Sequence, residues 1–290
     1  VITIGAYAFS GCSSLESINV PKKVEVIGDK AFYGCGSLSG SLLLTDHLVS
    51  IGASAFYNCT SLTGDLNIPD SVTSIGTSAF FNCKGYNGTL CLSAKLTQIE
   101  ESAFNGCKFT GILSLPESII GYGAFMSNKF SGEVIIPDKT ETIGNRAFAS
   151  CTELERVIFG ENVSRIGSYA ISGCVKIKTL TFKGLTPPSL TCYEFFGSSN
   201  GPANLETIYV PSGTYKAYHT AYGAGMGAGV RLIEEGADDL IIEGESLVSY
   251  IGDAEEVRVP EGITEIGRGA FQNNKTIKKV ILPDEVITIG

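Results

Sequence analysis

The chain has 290 residues, of which 43% are hydrophobic and 18% are charged, a composition typical of a folded globular protein. No stretch approaches the roughly eighteen uncharged apolar residues that a membrane helix requires, so we expect no membrane insertion. The net charge of −9 and the absence of a Lys/Arg cluster argue against a nucleic-acid partner. The 35 glycines and 10 prolines are scattered along the chain and indicate many short elements separated by turns.

One phrase recurs along the chain at intervals of 21 to 24 residues. It reads Ile-Gly-x-x-Ala-Phe-x-x-Cys at residues 4–12, 27–35, 51–59 and 75–83, and further copies surround Phe104, Phe125, Phe148 and Ile171. A fixed period in the twenties is typical of a solenoid, in which each unit is too small to bury its own apolar side and stacks on its neighbours.

A second phrase, Leu-x-x-Φ-x-Φ-Pro with Φ apolar, lies between the copies, for example at residues 15–21 and 205–211. Its alternation predicts a strand in a parallel sheet that runs the length of the array. The β-branched Val-x-x-Ile-Gly at 72–76 predicts a second, smaller strand. Ala-Phe-x-x-Cys places its apolar residues on one face of about one helical turn. Recurring glycines before the main strand indicate a tight corner or a positive φ at Gly40, Gly64, Gly88, Gly111 and Gly132.

The combined phrase Val-x-x-Ile-Gly-x-x-Ala-Phe-x-x-Cys-x-x-Leu-x-x-Ile-x-Ile-Pro resembles the BspA-like leucine-rich repeats of bacterial surface and secreted proteins. The resemblance covers most of the chain. It implies an α/β fold: a right-handed leucine-rich-repeat solenoid, strand-rich with short helical turns and about 23 residues per repeat. For several members it also implies adhesion to host matrix proteins or other cells, and so an extracellular or cell-surface location. The chain departs from the pattern at Asn128 and Asn274, which replace the Cys, and at Ile171, which replaces the Phe.

Three regions are predicted along the chain: a main array at 1–184, a degenerate repeat with a capping segment at 185–236, and the start of a second array at 237–290. Phe196 follows Ile171 by 25 residues, which indicates one stretched turn. The Val-Pro…Tyr stretch at 210–218 resembles the segments that close arrays in this family. Because the chain begins and ends inside a repeat, we expect it to be a segment of a longer polypeptide.

Seven of the nine cysteines occupy one repeat position and are expected to stack as a buried column: Cys12, Cys35, Cys59, Cys83, Cys107, Cys151 and Cys174. Neighbouring turns are close enough for a disulfide, but parallel Cβ directions disfavour one, so we predict free buried thiols. Asn128 in this column indicates a side chain that faces backbone groups. No zinc-type spacing is present, and no metal or other cofactor is expected.

Catalytic patterns are absent from the sequence. A Ser-His-Asp triad could assemble from distant residues, and Asp46 lies beside His47, but sequence neighbours rarely form the orienting hydrogen bond. His219 lies in the predicted capping segment. Carboxylates that recur after the Pro, such as Asp70 and Glu117, are typical turn residues. We therefore expect no enzyme activity.

Function is then expected on the variable, outward-facing positions of the main strands. Ile112, Ile135 and Ile158 are predicted to lie on consecutive turns beside charged residues, and such an apolar strip is typical of a binding surface. The candidate binding residues are Leu43, Asp65, Asn67, Ile112, Glu133, Ile135, Arg156, Ile158 and Tyr209. The simpler interpretation is that β-branched residues favour strands. The predicted function is adhesion to a protein or glycan partner, and the alternative is a stiff spacer that binds nothing.

Overall fold

The computed structural model describes residues 2–191, 195, 201–227 and 229–290. The chain forms a strand-rich parallel solenoid of about 12 turns with about 23 residues per turn, which confirms the predicted fold class. Phe196, the predicted centre of the stretched turn, lies outside the described residues. The division of the chain into three regions stays a prediction.

The Ile-Gly phrases form the first column of short strands. These strands form two parallel sheets, within which each strand pairs with the equivalent strand of the next turn, so that residues such as Ile27 and Ile51 stack in register. The strands of this column are β1 (Thr3–Ile4), β2 (Val26–Ile27), β3 (Ser50–Ile51), β5 (Ser74–Ile75), β7 (Gln98–Ile99), β9 (Ile119–Ile120), β12 (Thr142–Ile143), β14 (Arg165–Ile166) and β16 (Ser189–Leu190).

The Φ-x-Φ phrases form the second column of strands. These are β4 (Leu66–Asn67), β6 (Leu90–Cys91), β8 (Thr110–Gly111), β10 (Lys129–Phe130), β11 (Gly132–Ile135), β13 (Leu154–Phe159), β15 (Thr179–Phe182), β17 (Thr207–Val210) and β18 (Arg231–Glu234). Strands β11, β13, β15, β17 and β18 pair in that order as one parallel sheet, called here the main sheet. Within β13, Val157 and Phe159 are buried while Arg156 is exposed, as the alternation predicts.

A helix and a hairpin follow the main array. Helix α1 (Tyr215–Tyr222) begins where the backbone N–H of Tyr215 donates to the Glu234 carboxylate at 2.7 Å. Its tyrosine hydroxyls reach both ways along the solenoid, because Tyr218 donates to the Gly184 carbonyl and Tyr215 to that of Gly244, each at 2.7 Å. The helix therefore ties the main array to the turns that come after it.

The remaining turns continue the solenoid after the helix. Their strands are β19 (Leu240–Glu243), β20 (Ser246–Tyr250), β21 (Glu256–Arg258), β22 (Glu265–Ile266), β23 (Lys279–Ile281) and β24 (Thr288–Ile289). Strand β19 pairs antiparallel with β20, and the other pairings in these turns are parallel. One hydrophobic cluster extends from Ile4 to Ala270 through the interior of the whole stack.

The Ala-Phe-x-x-Cys segments are tight turns, and the prediction of a helical turn at this position is wrong. In the third copy Ser54 and Asn58 both have positive φ, at 53° and 57°. The backbone N–H of Phe56 donates to Ala79 of the next turn at 2.7 Å, so it makes no helical bond. Backbone bonds to the next turn alternate with local bonds that reach back three residues, and the Phe56 and Phe80 rings stack at 5.1 Å.

Glycine serves two different purposes in the repeat. The predicted positive φ is confirmed at four corners, with values from 72° to 78° at Gly40, Gly64, Gly111 and Gly132. Gly88 is the exception: its φ is ordinary, and a Cβ there would lie 2.6 Å from the Gly64 carbonyl oxygen. The glycine after Ile has the same steric role, because a Cβ at Gly76 would lie 2.5 Å from the Ala53 backbone nitrogen.

The cysteine column consists of free thiols. Six of its members are buried, and each donates to a Phe carbonyl of the previous turn, as Cys83 does to Phe56 at 2.9 Å. Cys12 is exposed, contrary to the prediction, because the first turn has a neighbour on one side only. The inference about Asn128 is confirmed, since its amide donates to the Phe104 carbonyl at 2.8 Å and its oxygen accepts from the Phe109 N–H at 3.0 Å.

Replacing the glycine of the Ile-Gly phrase is expected to force neighbouring turns apart. We expect Gly76→Ala to lower the free energy of unfolding by about 2 kcal/mol or more, because the new methyl overlaps the backbone of Ala53. Gly5→Ala is the matched control, since nothing lies within 4 Å of a Cβ there, and it should stay within about 0.5 kcal/mol of the wild type. Urea denaturation measures both, and equal effects would contradict the close-approach argument.

Buried thiols in the column are expected to resist alkylation. Burial raises the pKa of Cys35 to about 11 and raises that of Cys107 further, so neither forms the reactive thiolate near neutral pH. With native protein at pH 8, iodoacetamide should modify Cys12 and Cys91, which are exposed, and leave Cys35 and Cys107 unmodified in peptide mass spectra. Labelling in urea provides the control. Rapid native modification of Cys107 would show that the turns are not stacked as described.

Tyr86 places a phenol in the core, and its hydroxyl has no hydrogen-bond partner among the described residues. We expect Tyr86→Phe to raise the free energy of unfolding by about 1 kcal/mol, because the unpaired hydroxyl loses its hydration on folding. Tyr218→Phe is the matched control: it removes a hydroxyl that bonds the Gly184 carbonyl and should destabilise by about 1 kcal/mol. Destabilisation by both changes would mean that Tyr86 is satisfied.

Candidate binding site

The outward face of the main sheet carries two parallel rows of side chains. Backbone pairing aligns the first row as Glu133, Arg156, Thr179, Thr207 and Arg231. It aligns the second row as Ile135, Ile158, Thr181, Tyr209 and Ile233. Adjacent members of a row are one strand spacing apart, about 4.8 Å.

The structure brings most of the predicted residues together but divides the expected isoleucine strip. Ile135 and Ile158 are direct neighbours in the second row. Ile112 lines a groove with Glu133 and Arg156, on the charged side. Ile112 follows Gly111 as Glu133 follows Gly132, so the two residues hold the same position of the sequence repeat.

Three predicted residues lie on earlier turns, away from this groove. Leu43 is 79% exposed, and Asp65 and Asn67 are exposed as well. The Asp65 carboxylate accepts from the backbone N–H of Thr89 at 2.7 Å and from its hydroxyl at 2.8 Å. These bonds hold the pKa of Asp65 below its usual value. Asp65 therefore links two turns of the solenoid.

The groove itself, called here the sheet groove, has a volume of about 1210 Å³. It opens at the start of strands β11, β13, β15 and β17. Besides Ile112, Glu133, Arg156 and Thr179, its lining includes Gly132, Glu155, Val175, Lys176, Lys178, Asn204, Leu205 and Glu206. The wall is thus a mixture of charges with exposed apolar groups.

Most charges around the sheet groove pair between turns. Lys176 Nζ lies 2.6 Å from a Glu153 carboxylate oxygen, and Lys178 Nζ lies 2.8 Å from one of Glu206. These bonds raise the pKa of each lysine. The side chains remain about half exposed, so each pair contributes little to stability. Polar rims with an apolar centre are the usual construction of a protein-binding surface.

A smaller cavity of about 360 Å³ lies on the same face, around Tyr209. Arg156 lines this cavity as well as the sheet groove, so the two are adjacent on the same surface. The Tyr209 hydroxyl donates a hydrogen bond to the Asp238 carboxylate, which raises the pKa of Tyr209. Asp238 belongs to the segment between β18 and β19, which folds over the end of the sheet.

Sequence reasoning missed the charged residues ahead of the strands and the contribution of Asp238. The sequence does contain a signal for the charged residues ahead of the strands. Glu153 and Lys176 have opposite charges at the same repeat position, 23 residues apart. Charges in register on neighbouring strands attract each other. Asp238 lies in a segment without a repeat, so no pattern placed it beside Tyr209.

The described residues give little support for metal binding or for catalysis by histidine. No group of three or more His, Cys, Asp or Glu among them is placed to hold a metal ion. His47 is exposed, and the His219 ring stacks on Tyr215 at 5.5 Å. No described helix is long and apolar enough to cross a membrane.

The repeats of this chain are similar to those of a known protein family. A family model described as the BspA type leucine rich repeat region matches residues 1–110, 118–222 and 243–290 in six copies. A search of curated proteins gives no match.

Solved structures with similar repeats come from several bacteria. A leucine-rich repeat protein from Bacteroides ovatus shares 22% identity with a TM-score of 0.48, over 100% of this chain and 78% of that chain. The T. pallidum leucine-rich repeat protein shares 23% identity with a TM-score of 0.31, over 79% and 72%. A leucine-rich cell surface protein from Faecalibacterium prausnitzii shares 18% identity with a TM-score of 0.32, over 97% and 83%.

The family model covers most of the chain, and its repeat coincides with the stacked turns of the solenoid. The chain therefore belongs to the family of BspA-type leucine-rich repeat proteins.

Proposed function

We propose that the chain is a non-enzymatic binding module that acts outside the cell or at its surface and holds a protein partner on the outward face of the main sheet. Leucine-rich repeats of this family are generally protein-interaction modules. The observation that carries the proposal is the exposure of isoleucine on this face: Ile112 is 70% exposed and Ile135 is 46% exposed. Host matrix proteins and other cell-surface proteins are the partners that we propose.

Strand preference alone does not account for these isoleucines. Threonine is also β-branched and suits a strand, and it occupies the outward positions of the following strands at Thr179, Thr181 and Thr207. Threonine therefore already occupies solvated strand positions in this same sheet. Isoleucine at the equivalent positions exposes apolar surface that a protein partner would bury.

A protein partner is favoured over a glycan. Tyr209 is the one aromatic side chain in the two outward rows, and its hydroxyl is already bonded to Asp238. A half-buried aromatic ladder exists on another side, where Tyr33, Tyr57 and Phe81 stack at 4.8 Å. Their ring faces cover one another, so they leave no open platform on which a sugar ring could stack.

A stiff spacer is the second candidate function. The uninterrupted hydrophobic cluster and the charge pairs between successive turns favour a rigid rod. These features are also what a binding scaffold needs, so they do not separate the two functions. Only the exposed isoleucines separate the binding function from the spacer function.

Capture on immobilised matrix proteins tests the proposal. We expect the double variant Ile135→Glu, Ile158→Glu, and separately Ile112→Glu, to reduce capture about tenfold or more, because each replaces exposed apolar surface of the proposed interface with a charge. Ile119→Glu is the matched control: Ile119 is 48% exposed but belongs to the first column of strands.

The outcomes separate the candidates. Capture that survives both face variants would reject this surface as the binding site. If the wild type is captured by no matrix or cell-surface protein, the spacer function is favoured instead.

A further inference from the structure

Two neighbouring cavities on the outward face of the main sheet share Arg156. The first is the sheet groove, which Ile112 lines. The second is called here the Tyr209 cavity and is lined by Arg156, Thr181, Tyr209, Glu235, Gly236 and Asp238. Strand pairing places Thr181 beside Ile158, so an outward isoleucine adjoins each cavity. A partner that covers these isoleucines therefore also meets the charges of both cavities.

Carboxylates outnumber cations in the lining of the two cavities. Two further cations lie just outside the lining, where Lys129 acts on Glu153 and Arg231 acts on Tyr209. The lining itself carries five carboxylates, those of Glu133, Glu155, Glu206, Glu235 and Asp238, against the three cations of Arg156, Lys176 and Lys178.

The sheet groove contains one carboxylate that no cation occupies. Lys178 is bonded to Glu206 and Lys176 to Glu153, so neither lysine is free to pair with Glu155. The exposed Glu155 carboxylate makes no hydrogen bond or ion pair within the part of the chain that the structure describes. A cationic side chain of a partner would complete this position.

The Tyr209 cavity also lacks cations. Glu235 and Asp238 are both exposed, and neither forms an ion pair with another described residue. The hydroxyl of Tyr209 donates to Asp238, so this carboxylate lies beside the phenol. Arg156, the one cation in the lining, lies 4.0 Å from Glu133. An aromatic ring next to carboxylates suits a Lys or Arg side chain, because the ring face and the carboxylates both attract a cation.

The charge of the whole chain favours the same kind of partner. A net charge of −9 attracts a basic protein from a distance and repels acidic molecules, including a second copy of this chain. Neither a self-association of this face nor an anionic polysaccharide fits that field.

We propose that the outward face of the main sheet binds a basic segment of its protein partner. The apolar side chains of the segment cover the isoleucines, and its Lys or Arg side chains pair with Glu155 and enter the Tyr209 cavity. The inference rests on the proposed function, because it names the chemistry of the partner for the same face.

Titration of the whole chain with labelled peptides tests the proposal by fluorescence anisotropy. The probes are short peptides in which one, two or three leucines separate successive lysines, and their counterparts carry glutamine or glutamate in place of lysine. We expect saturable binding of a lysine peptide, binding about tenfold weaker or more for its glutamine counterpart, and none for the glutamate counterpart. Equal affinity for the lysine and glutamine peptides, or no binding of any lysine peptide, would overturn the proposal.

Carboxylate variants locate the binding. We expect Glu155→Gln, and separately Glu235→Gln with Asp238→Asn, to weaken binding of the lysine peptide about threefold, because an exposed ion pair is lost in each case. Glu141→Gln is the matched control: it removes the same charge from an exposed residue just before β12, in the first column of strands, and should have no effect. Unchanged affinity in both sets of variants would overturn the proposal.

A variant that strengthens binding guards against loss of folding as an explanation. Lys178→Gln leaves the Glu206 carboxylate without its cation, so the lysine peptide should bind about threefold more tightly. Weaker binding in this variant would contradict the charge argument.

Failure of this inference can be told apart from failure of the proposed function. Capture on matrix proteins should fall as the salt concentration rises, because exposed charges are screened. The double variant Ile135→Thr, Ile158→Thr removes apolar surface without adding a charge that attracts a basic partner. If this variant loses capture while salt and Glu155→Gln leave capture unchanged, the proposed function stands and the basic partner is wrong. If the wild type captures no protein and binds no lysine peptide, both are wrong.

Discussion

Each turn of this solenoid is folded only because another turn lies against it. The backbone N–H of Phe56 donates to the Ala79 carbonyl and that of Phe80 to the Ala103 carbonyl, so alternate backbone hydrogen bonds of these segments are made with the next turn. The Phe rings, the cysteine thiols and the two-residue strands follow the same rule. A single turn could bury neither its phenylalanine nor its polar backbone, which makes stacking the condition for all the rest.

Close stacking also explains which residue types repeat and which vary. At Gly76 a side chain would strike the backbone of the turn before, and at Cys83 the space accepts a small donor directed at a carbonyl. Asn128 meets the same requirement with a stronger donor and an additional acceptor. The outward rows have no such requirement, so residues as different as Glu133, Arg156 and Thr179 occupy one row. On the main sheet, chemical variety is therefore found on the outward face.

The stacked turns also determine where the non-repeating segment around helix α1 packs. Helix α1 lies across the end of the main array, and its tyrosines bond to carbonyls on both sides of it. The chain that leaves β18 then covers part of the outward face and brings Asp238 to Tyr209. A regular surface thereby acquires one irregular end.

The sequence alone determined the solenoid, the two strand columns, the corner glycines and the cysteine column, because each depends on a residue type that returns with the period. It also determined the outward-facing positions, since alternation along a strand is a local property. Only the tertiary structure decided that the Phe-bearing segments are tight turns that contain residues with positive φ, because alternate backbone hydrogen bonds of these segments go to the next turn. It alone brought Asp238 to Tyr209. That contact depends on where a non-repeating segment folds over the sheet, which no periodic pattern encodes.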